Sequence, residues 1–522
     1  MKNVGLFICA WLMWAPLISS ADYDLIIRGG RIVDGLGNPP FAGDIGIKDC
    51  RIAAIGQIDG GAGKEIQAKG LVVAPGFIDV HTHAENIDEL PLAENFLRMG
   101  VTTLVLGNCG GSSLQVGKLF HRLDDILISP NVATLIGHGS VRGMAMGGSF
   151  MRSPTDAELT EMKNMVGKAM REGAIGLSTG LIYLPGTFAK TEEIIELARV
   201  ARSYGGLYVS HMRDEGEDIF DALEELIRVA REAQIPAHVS HIKLSGQANW
   251  GKPEEVLALI EAARDEGLRV TQDMYVYPAS STGISQLIPT RAREGNRFNQ
   301  RLEDPQEKEK MILEMKGSLE RSGGKDFSYA MIASYAKDPS LNGLNIAQAA
   351  LKTRGGDSLE DQIETILDIQ AHGGAGGVFH SMSEDDLRVF LVNPRTMIAA
   401  DSSVRKFREG MPHPRGYGNN ARVLARYVRE LNLLSIEEAI RRMTSLPAEI
   451  FRLKDRGVLR QGAWADLVVF DPAEVQDRAT FTQPHQYAVG FRAVLVNGEI
   501  TIQNDRHTQA RAGRTLPRGV GQ

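Results

Sequence analysis

Cysteine is nearly absent from this chain, with three residues in 522, at positions 9, 50 and 109. So few exclude a disulfide-stapled framework, although one bridge between Cys50 and Cys109 is formally open in an oxidising compartment. Neither sign of charge dominates, because 58 basic residues face 65 acidic ones for a net charge of −7. Without a basic run there is no electrostatic footprint for nucleic acid. No Gly-x-Gly-x-x-Gly loop follows a strand-like run, which speaks against a dinucleotide-binding sheet. Beyond the first twenty residues no stretch is apolar enough to cross a bilayer. The 43% apolar and 24% charged composition is that of a soluble globular protein and excludes a disordered or collagen-like chain. The length allows one large domain with a smaller one, or two to four ordinary domains.

The start of the chain reads as a leader. Lys2 supplies a positive n-region, Val4 to Ile18 is an apolar run, and Ser19, Ser20 and Ala21 are small residues suited to cleavage. Residues 1–21 are therefore expected to be a signal peptide. The mature chain is expected to be exported, most simply to a bacterial periplasm. An uncleaved membrane anchor is the other reading of the same run. Cys9 leaves with the leader, so Cys50 and Cys109 each need a separate explanation.

The remaining pattern falls into three parts. Residues 22–75 alternate and break at glycines like short strands in hairpins. Residues 76–445 instead alternate short apolar runs with helical stretches, the signature of parallel strands joined by crossover helices. Eight strand ends are legible: "GFIDVHTH", "VTTLVLGNCG", "NVATLIGHG", "AIGLSTG", "LYVSHM", "IPAHVSHIK", "RVTQDMYVY" and "TMIAADSS". Eight such units predict an α/β fold of the TIM-type (β/α)8 barrel class. A charged, helix-like insertion over 289–346 separates strands seven and eight. It reads either as a solvated face or as a lid over the barrel mouth. Residues 446–522 return to short strands, and both termini are expected to build one small β-sandwich domain.

Chemistry-bearing side chains fall at the strand ends. His81 and His83 share one face of an extended segment, because residues i and i+2 point the same way. Cys109, His211, His241 and Asp401 end strands two, five, six and eight, all at the C-terminal mouth where such barrels keep their sites. Any one alone has an ordinary structural reading, as a hydrogen-bonded core histidine or a small buried thiol. Together, imidazole, thiolate and carboxylate suit Zn²⁺ best among common divalent ions. Cys109 has a rival reading as a nucleophile. Asp401 is read as a general base for a metal-activated water, with plain ligation or orientation of His81 or His83 as the alternatives.

The motifs "APGFIDVHTH", "SHMRDEG", "VSHIKLSG" and "MIAADSS" resemble the amidohydrolase superfamily. "LGNCGGS", "GAIGLSTGLIYLPG", "DMYVYPASST" and "HPRGYGNNARVLARYVRE" are similar to its D-aminoacylase branch, the N-acyl-D-amino-acid deacylases, over essentially the whole mature chain. The resemblance implies a tight zinc site at Cys109, His211 and His241, with His81, His83 and Asp401 forming a second, weaker metal position. Lys243, Tyr275 and Ser281 would bind the α-carboxylate of a small-molecule N-acyl amino acid. For Lys243 the competing reading is a surface lysine, and for Tyr275 a packed core aromatic. Tyr277, His138, Arg142, His413 and Arg415 are expected near the site without an assigned role.

Departures from the family pattern carry information. Strand four ends in Ser178 and Thr179, with no lysine or glutamate to bridge two metals, which favours the cysteine-ligated branch over a hydantoinase or dihydroorotase. Val276 and Pro278 replace the usual Tyr-Pro-Tyr order, which bears on the shape of the carboxylate pocket. Arg291 and Arg293 read either as partners of an acidic substrate side chain or as solvent-facing lid charges. The implied activity is amide hydrolysis of N-acyl-D-amino acids. The alternatives are a D-aminoacyl dipeptidase, a cyclic amidase, or a periplasmic binding protein without turnover.

Overall fold

The computed structural model describes residues 22–519. The leader expected at 1–21 lies outside the described residues. Among those described, no helix is long and apolar enough to cross a membrane.

All eight strand ends read from the sequence belong to one closed barrel. Its strands are Phe77–Asp79, Val101–Leu106, Asn131–Thr134 continued by Ile136–Gly137, Gly176–Gly180, Leu207–His211, Ala237–Val239, Val270–Met274 and Thr396–Ile398. Neighbouring strands pair in parallel, and a parallel bridge between Thr82 and Ser402 closes the eighth strand onto the first. Strands such as VTTLVL are buried at every position because helices cover the outer face while the other face fills the barrel. The helices do this with one apolar stripe. In Ile219–Ala233, the residues Ala222, Leu223, Leu226, Ile227 and Ala230 are buried at helical spacing. Helix Asp156–Arg171 opens on a capping box between Thr155 and Glu158, as its start signal requires.

The two ends of the chain join in one nine-stranded sheet. Val72–Pro75 pairs antiparallel with Leu467–Phe470, close to four hundred residues later, and further strands extend the sheet on both sides. One face of the sheet packs Leu25, Ile27, Ile45, Val73, Leu467 and Leu495 into their own core. Beneath the barrel a buried polar network ties this sheet to barrel strand three. The Asp466 carboxylate accepts from Asn131 Nδ2 at 3.1 Å and from the Asn497 amide at 2.7 Å, and pairs with Arg456. Asn497 Nδ2 in turn donates to Asn131 Oδ1 at 2.8 Å. Removing one partner of a buried pair strands the other, so Asp466→Ala is expected to cost about 3–5 kcal/mol. Urea unfolding checks this, and an unchanged midpoint refutes it.

The insertion forms a small unit of its own. Three antiparallel strands, Ser280–Gly283, Gly376–Phe379 and Ala330–Ser334, lie in that spatial order. Residues 289–346 lie within this larger span. Helix Pro305–Arg321, whose sequence is polar overall, buries Met311, Met315 and Leu319 against this unit's core and leaves its charged face in water. The unit also meets the barrel loops, where the Gly246 amide donates to Ser381 O and the Ala248 amide to Ser322 O.

Candidate metal centre and cavity

The site is assembled where the barrel strands end. Cys109 Sγ lies 3.3 Å from His81 Nε2, 3.7 Å from His211 Nδ1 and 3.7 Å from His241 Nε2. His211 Nδ1 and His241 Nε2 are 2.7 Å apart. Asp401 Oδ1 stands 3.2 Å from His83 Nε2 and 3.7 Å from His81 Nε2. Three overlapping donor groups result: Cys109 with His211 and His241, Cys109 with His81 and His83, and His81 with His241 and Asp401. Cys109 belongs to two of them, as do His81 and His241. Each of the six expected ligands falls in at least one group, although they come from five different strand ends; the trio of His81, His83 and Asp401 expected for the weaker position is not itself among the three.

The backbone is strained where the site is built. Cys109, His241 and Asp401 have φ values of +52°, +36° and +48°, in the left-handed region that side-chain-bearing residues rarely adopt. Such strain persists only when the surroundings over-determine it, and it concentrates at functional sites. The surroundings here are tight. A Cβ on Gly180 would stand 2.2 Å from Cys109 O, and one on Gly137 would stand 2.4 Å from Gly110 O. The glycines of "GLSTG" and "LIGHG" thus allow strands three and four to press on the cysteine loop. The strand-four hydroxyls brace neighbouring strands, since Thr179 Oγ1 donates to Ser210 Oγ and Ser178 Oγ donates to Gly107 O.

The donor set fits zinc. With bonds of about 2.3 Å to sulfur and 2.0 Å to nitrogen, a tetrahedral ion needs sulfur and nitrogen donors roughly 3.5 Å apart, close to the two 3.7 Å separations seen. Burial, with Asp401 and Glu215 nearby, pushes the Cys109 thiol well above its usual pKa, so a thiolate there needs a cation facing it. Burial lowers the pKa of His211 and His241, which keeps both imidazoles neutral and their lone pairs free for an ion. Three imidazoles around one sulfur is a ligand arrangement. A nucleophilic cysteine would want a single base.

Behind the donors stand carboxylates that strand periodicity did not single out. Asp273, buried on strand seven, accepts from His238 Nε2 at 2.7 Å and from the His241 amide at 2.9 Å, and faces His81 Nδ1 at 3.6 Å. Asp79 accepts from the amides of His81 and Ala400. Glu215, four residues past His211, lies 2.9 Å from His241 Nδ1 and 2.5 Å from Lys243 Nζ. Arg415 Nη2 lies 2.9 Å from Asp401 Oδ2. Burial alone would raise the Asp401 pKa, but Arg415 and His81 hold it well below the usual carboxylate range.

A cavity of about 540 Å³ opens over the donors, within the size range of small-molecule sites. Barrel residues His211, Glu215, His241, Lys243, Tyr275 and Asp401 line its floor, and Ser281, Leu287, Tyr329 and Phe379 of the insertion line its roof. Lys243 is 3% exposed, so it is no surface lysine. Tyr275 OH is directed at Met382 Sδ and Ser281 Oγ donates to Gly377 O. Tyr183, not singled out in the sequence, packs its ring 4.8 Å from that of His211. Of the residues without an assigned role, His138 and Arg142 pair with buried Glu193, Tyr277 donates to Asp477, and His413 bonds Ala279 O. Arg291 is turned to Glu307 and Glu314 of the insertion, and Arg293 is buried against Ser285. Neither lines the cavity. Cys50 and Cys109 are both free thiols, which leaves the bridge between them unmade.

Known proteins resemble this chain in sequence and fold. A model described as "Amidohydrolase family" matches residues 64–282 and 408–502. A D-aminoacylase of Alcaligenes xylosoxydans xylosoxydans is 36% identical, over 96% of this chain and 98% of that protein. The crystal structure of an N-acyl-D-glutamate deacylase from Bordetella bronchiseptica, complexed with zinc and a phosphonate mimic of the tetrahedral intermediate, superposes with a TM-score of 0.81. It shares 34% identity and covers 95% of this chain and 99% of that one. A D-aminoacylase structure described for its binuclear metal centre, with one-metal activation and second-metal attenuation, also gives 0.81, at 33% identity and 95% and 100% coverage. This chain belongs to the amidohydrolase family and, within it, to the D-aminoacylase group of N-acyl-D-amino-acid deacylases.

Proposed function

We propose that this enzyme hydrolyses the amide bond of N-acyl-D-amino acids, releasing a carboxylate and a free D-amino acid, with zinc as its metal. The observation that carries the reading is the overlap of two donor groups, Cys109 with His211 and His241, and His81 with His241 and Asp401, at a cavity whose lining includes His211, His241 and Asp401. The D-configuration rests on kinship with the deacylases above.

Cys109, His211 and His241 would hold the tight ion, and His81, His83 and Asp401 a second, weaker one. A zinc ion held there would lower the pKa of water from 15.7 towards about 7 and polarise the scissile carbonyl. The protein's own contributions follow from the distances. Arg415 keeps Asp401 ionised, so its carboxylate can accept a proton from the attacking water and return it to the leaving nitrogen. The imidazole of His83 beside Oδ1 orients the carboxylate. Lys243, Tyr275 and Ser281, all lining the cavity, would offer an ammonium and two hydroxyls to the substrate carboxylate. The insertion forms the cavity roof, which limits water around the reacting amide. We also propose export to a periplasm with the leader removed, so that the mature chain begins at Asp22; its intact mass checks this.

The test is an amine-release assay on paired D- and L-N-acetyl amino acids, with metal analysis of the same sample. Turnover of the D series is expected, to be lost on chelation and regained with zinc. The metal-loaded enzyme is expected to resist thiol alkylation. Faster hydrolysis of the L series would reject the substrate assignment. Stoichiometric zinc without turnover of any N-acyl amino acid would favour a binding protein.

A further inference from the structure

We propose that Glu215 is a positioning residue for the metal centre, a single carboxylate that orients both imidazoles of the tight site. The proposal rests on the metal reading above and extends it to a residue outside the ligand set.

A ring that ligates through one nitrogen must carry its proton on the other, and that N–H needs an acceptor to fix tautomer and orientation. His241 turns Nε2 towards Cys109 and Nδ1 towards Glu215 Oε1 at 2.9 Å, with Lys243 Nζ 2.8 Å from the same nitrogen. His211 does the reverse, with Nδ1 towards Cys109 and Nε2 towards Glu215 Oε2, at 3.8 Å. Opposite nitrogens of the two rings thus face the sulfur, and the two remaining nitrogens face one carboxylate. His211 Nε2 is buried with no hydrogen-bond partner among the described residues, and Glu215 Oε2 faces it from just beyond hydrogen-bond distance.

Glu215 is itself held in place. Its backbone carbonyl accepts from the Ser245 amide at 2.7 Å, which ties the loop after strand five to the loop after strand six. Asp214 Oδ1 accepts from the amides of Gly216 and Asp218 and fixes the turn beyond. Lys243 sets a positive charge against the same carboxylate. An ionised acceptor raises the basicity of the imidazoles it binds and strengthens them as ligands.

The competing account is that Glu215 only neutralises Lys243, whose Nζ lies 2.5 Å from Oε1. Zinc affinity separates the two. Zinc is titrated into the apo forms of wild type, Glu215→Gln, Glu215→Asp and Lys243→Met against a chromophoric chelator. Loss of an outer carboxylate on a ligating histidine weakens metal binding by about 10–100-fold. That loss is expected for Glu215→Gln, a smaller loss for Glu215→Asp, and no comparable loss for Lys243→Met, which removes an ammonium beside His241 Nδ1 and leaves the carboxylate in place. Should the glutamine variant fail to fold, the aspartate variant carries the comparison, since it keeps the charge and withdraws it from the rings. Glutamate variants that bind zinc as tightly as wild type would overturn the proposal, as would Lys243→Met weakening zinc equally. A wild-type enzyme that takes up no zinc would overturn it together with the metal reading, whereas zinc binding without deacylase turnover would reject only the substrate assignment.

Discussion

Asp401→Asn is expected to lower kcat by about 10²–10⁴-fold, the range that a positioned general base contributes. The substitution keeps the size of the side chain while removing the capacity to take a proton and one of the two oxygens that face His83 and Arg415. Asp401 sits at the end of the eighth strand, and its amide donates to His81 O at 2.9 Å, so the side chain is presented by the closing seam of the barrel. Its φ of +48° is one that asparagine tolerates as well as aspartate, so the backbone has no reason to move. The loss should therefore fall on kcat more than on KM, with the zinc of the tight site retained. Steady-state kinetics with metal analysis of the same preparation checks this. Near-normal turnover would reject the base role and leave Asp401 as a ligand or an orienting group.

Cys109→Ser is expected to empty the tight site and lower kcat/KM by about 10³-fold or more, because the metal supplies several kcal/mol and each 1.36 kcal/mol is a tenfold change in rate. A serine hydroxyl stays protonated at neutral pH and is a poor ligand for zinc, which takes thiolate, imidazole and carboxylate donors. The same variant separates the two readings of this cysteine. A ligand lost takes stoichiometric zinc with it, as read by elemental analysis. A nucleophile lost would abolish turnover and leave zinc in place. His211 and His241 lie within 3.7 Å of the sulfur, so the three donors form a connected set whose removals are not additive.

The lesson of these two residues is general to the chain. His81 and His83 were legible because an extended strand repeats every two residues, and Cys109, His211, His241 and Asp401 because each follows a short apolar run. Glu215 and Asp273 carry no such mark. An acid in "SHMRDEG" or "RVTQDMY" reads like any surface acid until it is seen buried against imidazoles. Lys243 is another case. Its strand face was readable, but its ion pair with Glu215 depends on a loop from the neighbouring strand. Arg291 shows the converse, since two acids within the insertion take up a guanidinium that the sequence left open to substrate or solvent.

By itself, then, the sequence determined the eight-strand barrel, the return to β-structure at both ends, and the set of side chains gathered at the barrel mouth. All of these rest on local periodicity and on short-range chain direction. Only the tertiary structure decided which nitrogens meet the cysteine, which carboxylates stand behind them, and how far the insertion reaches over the cavity. It also joined Val72–Pro75 to Leu467–Phe470 and placed Asp466 between Asn131 and Asn497. Those outcomes turn on burial and on contacts between residues hundreds of positions apart, where the stability of a charge or hydrogen bond depends on what surrounds it.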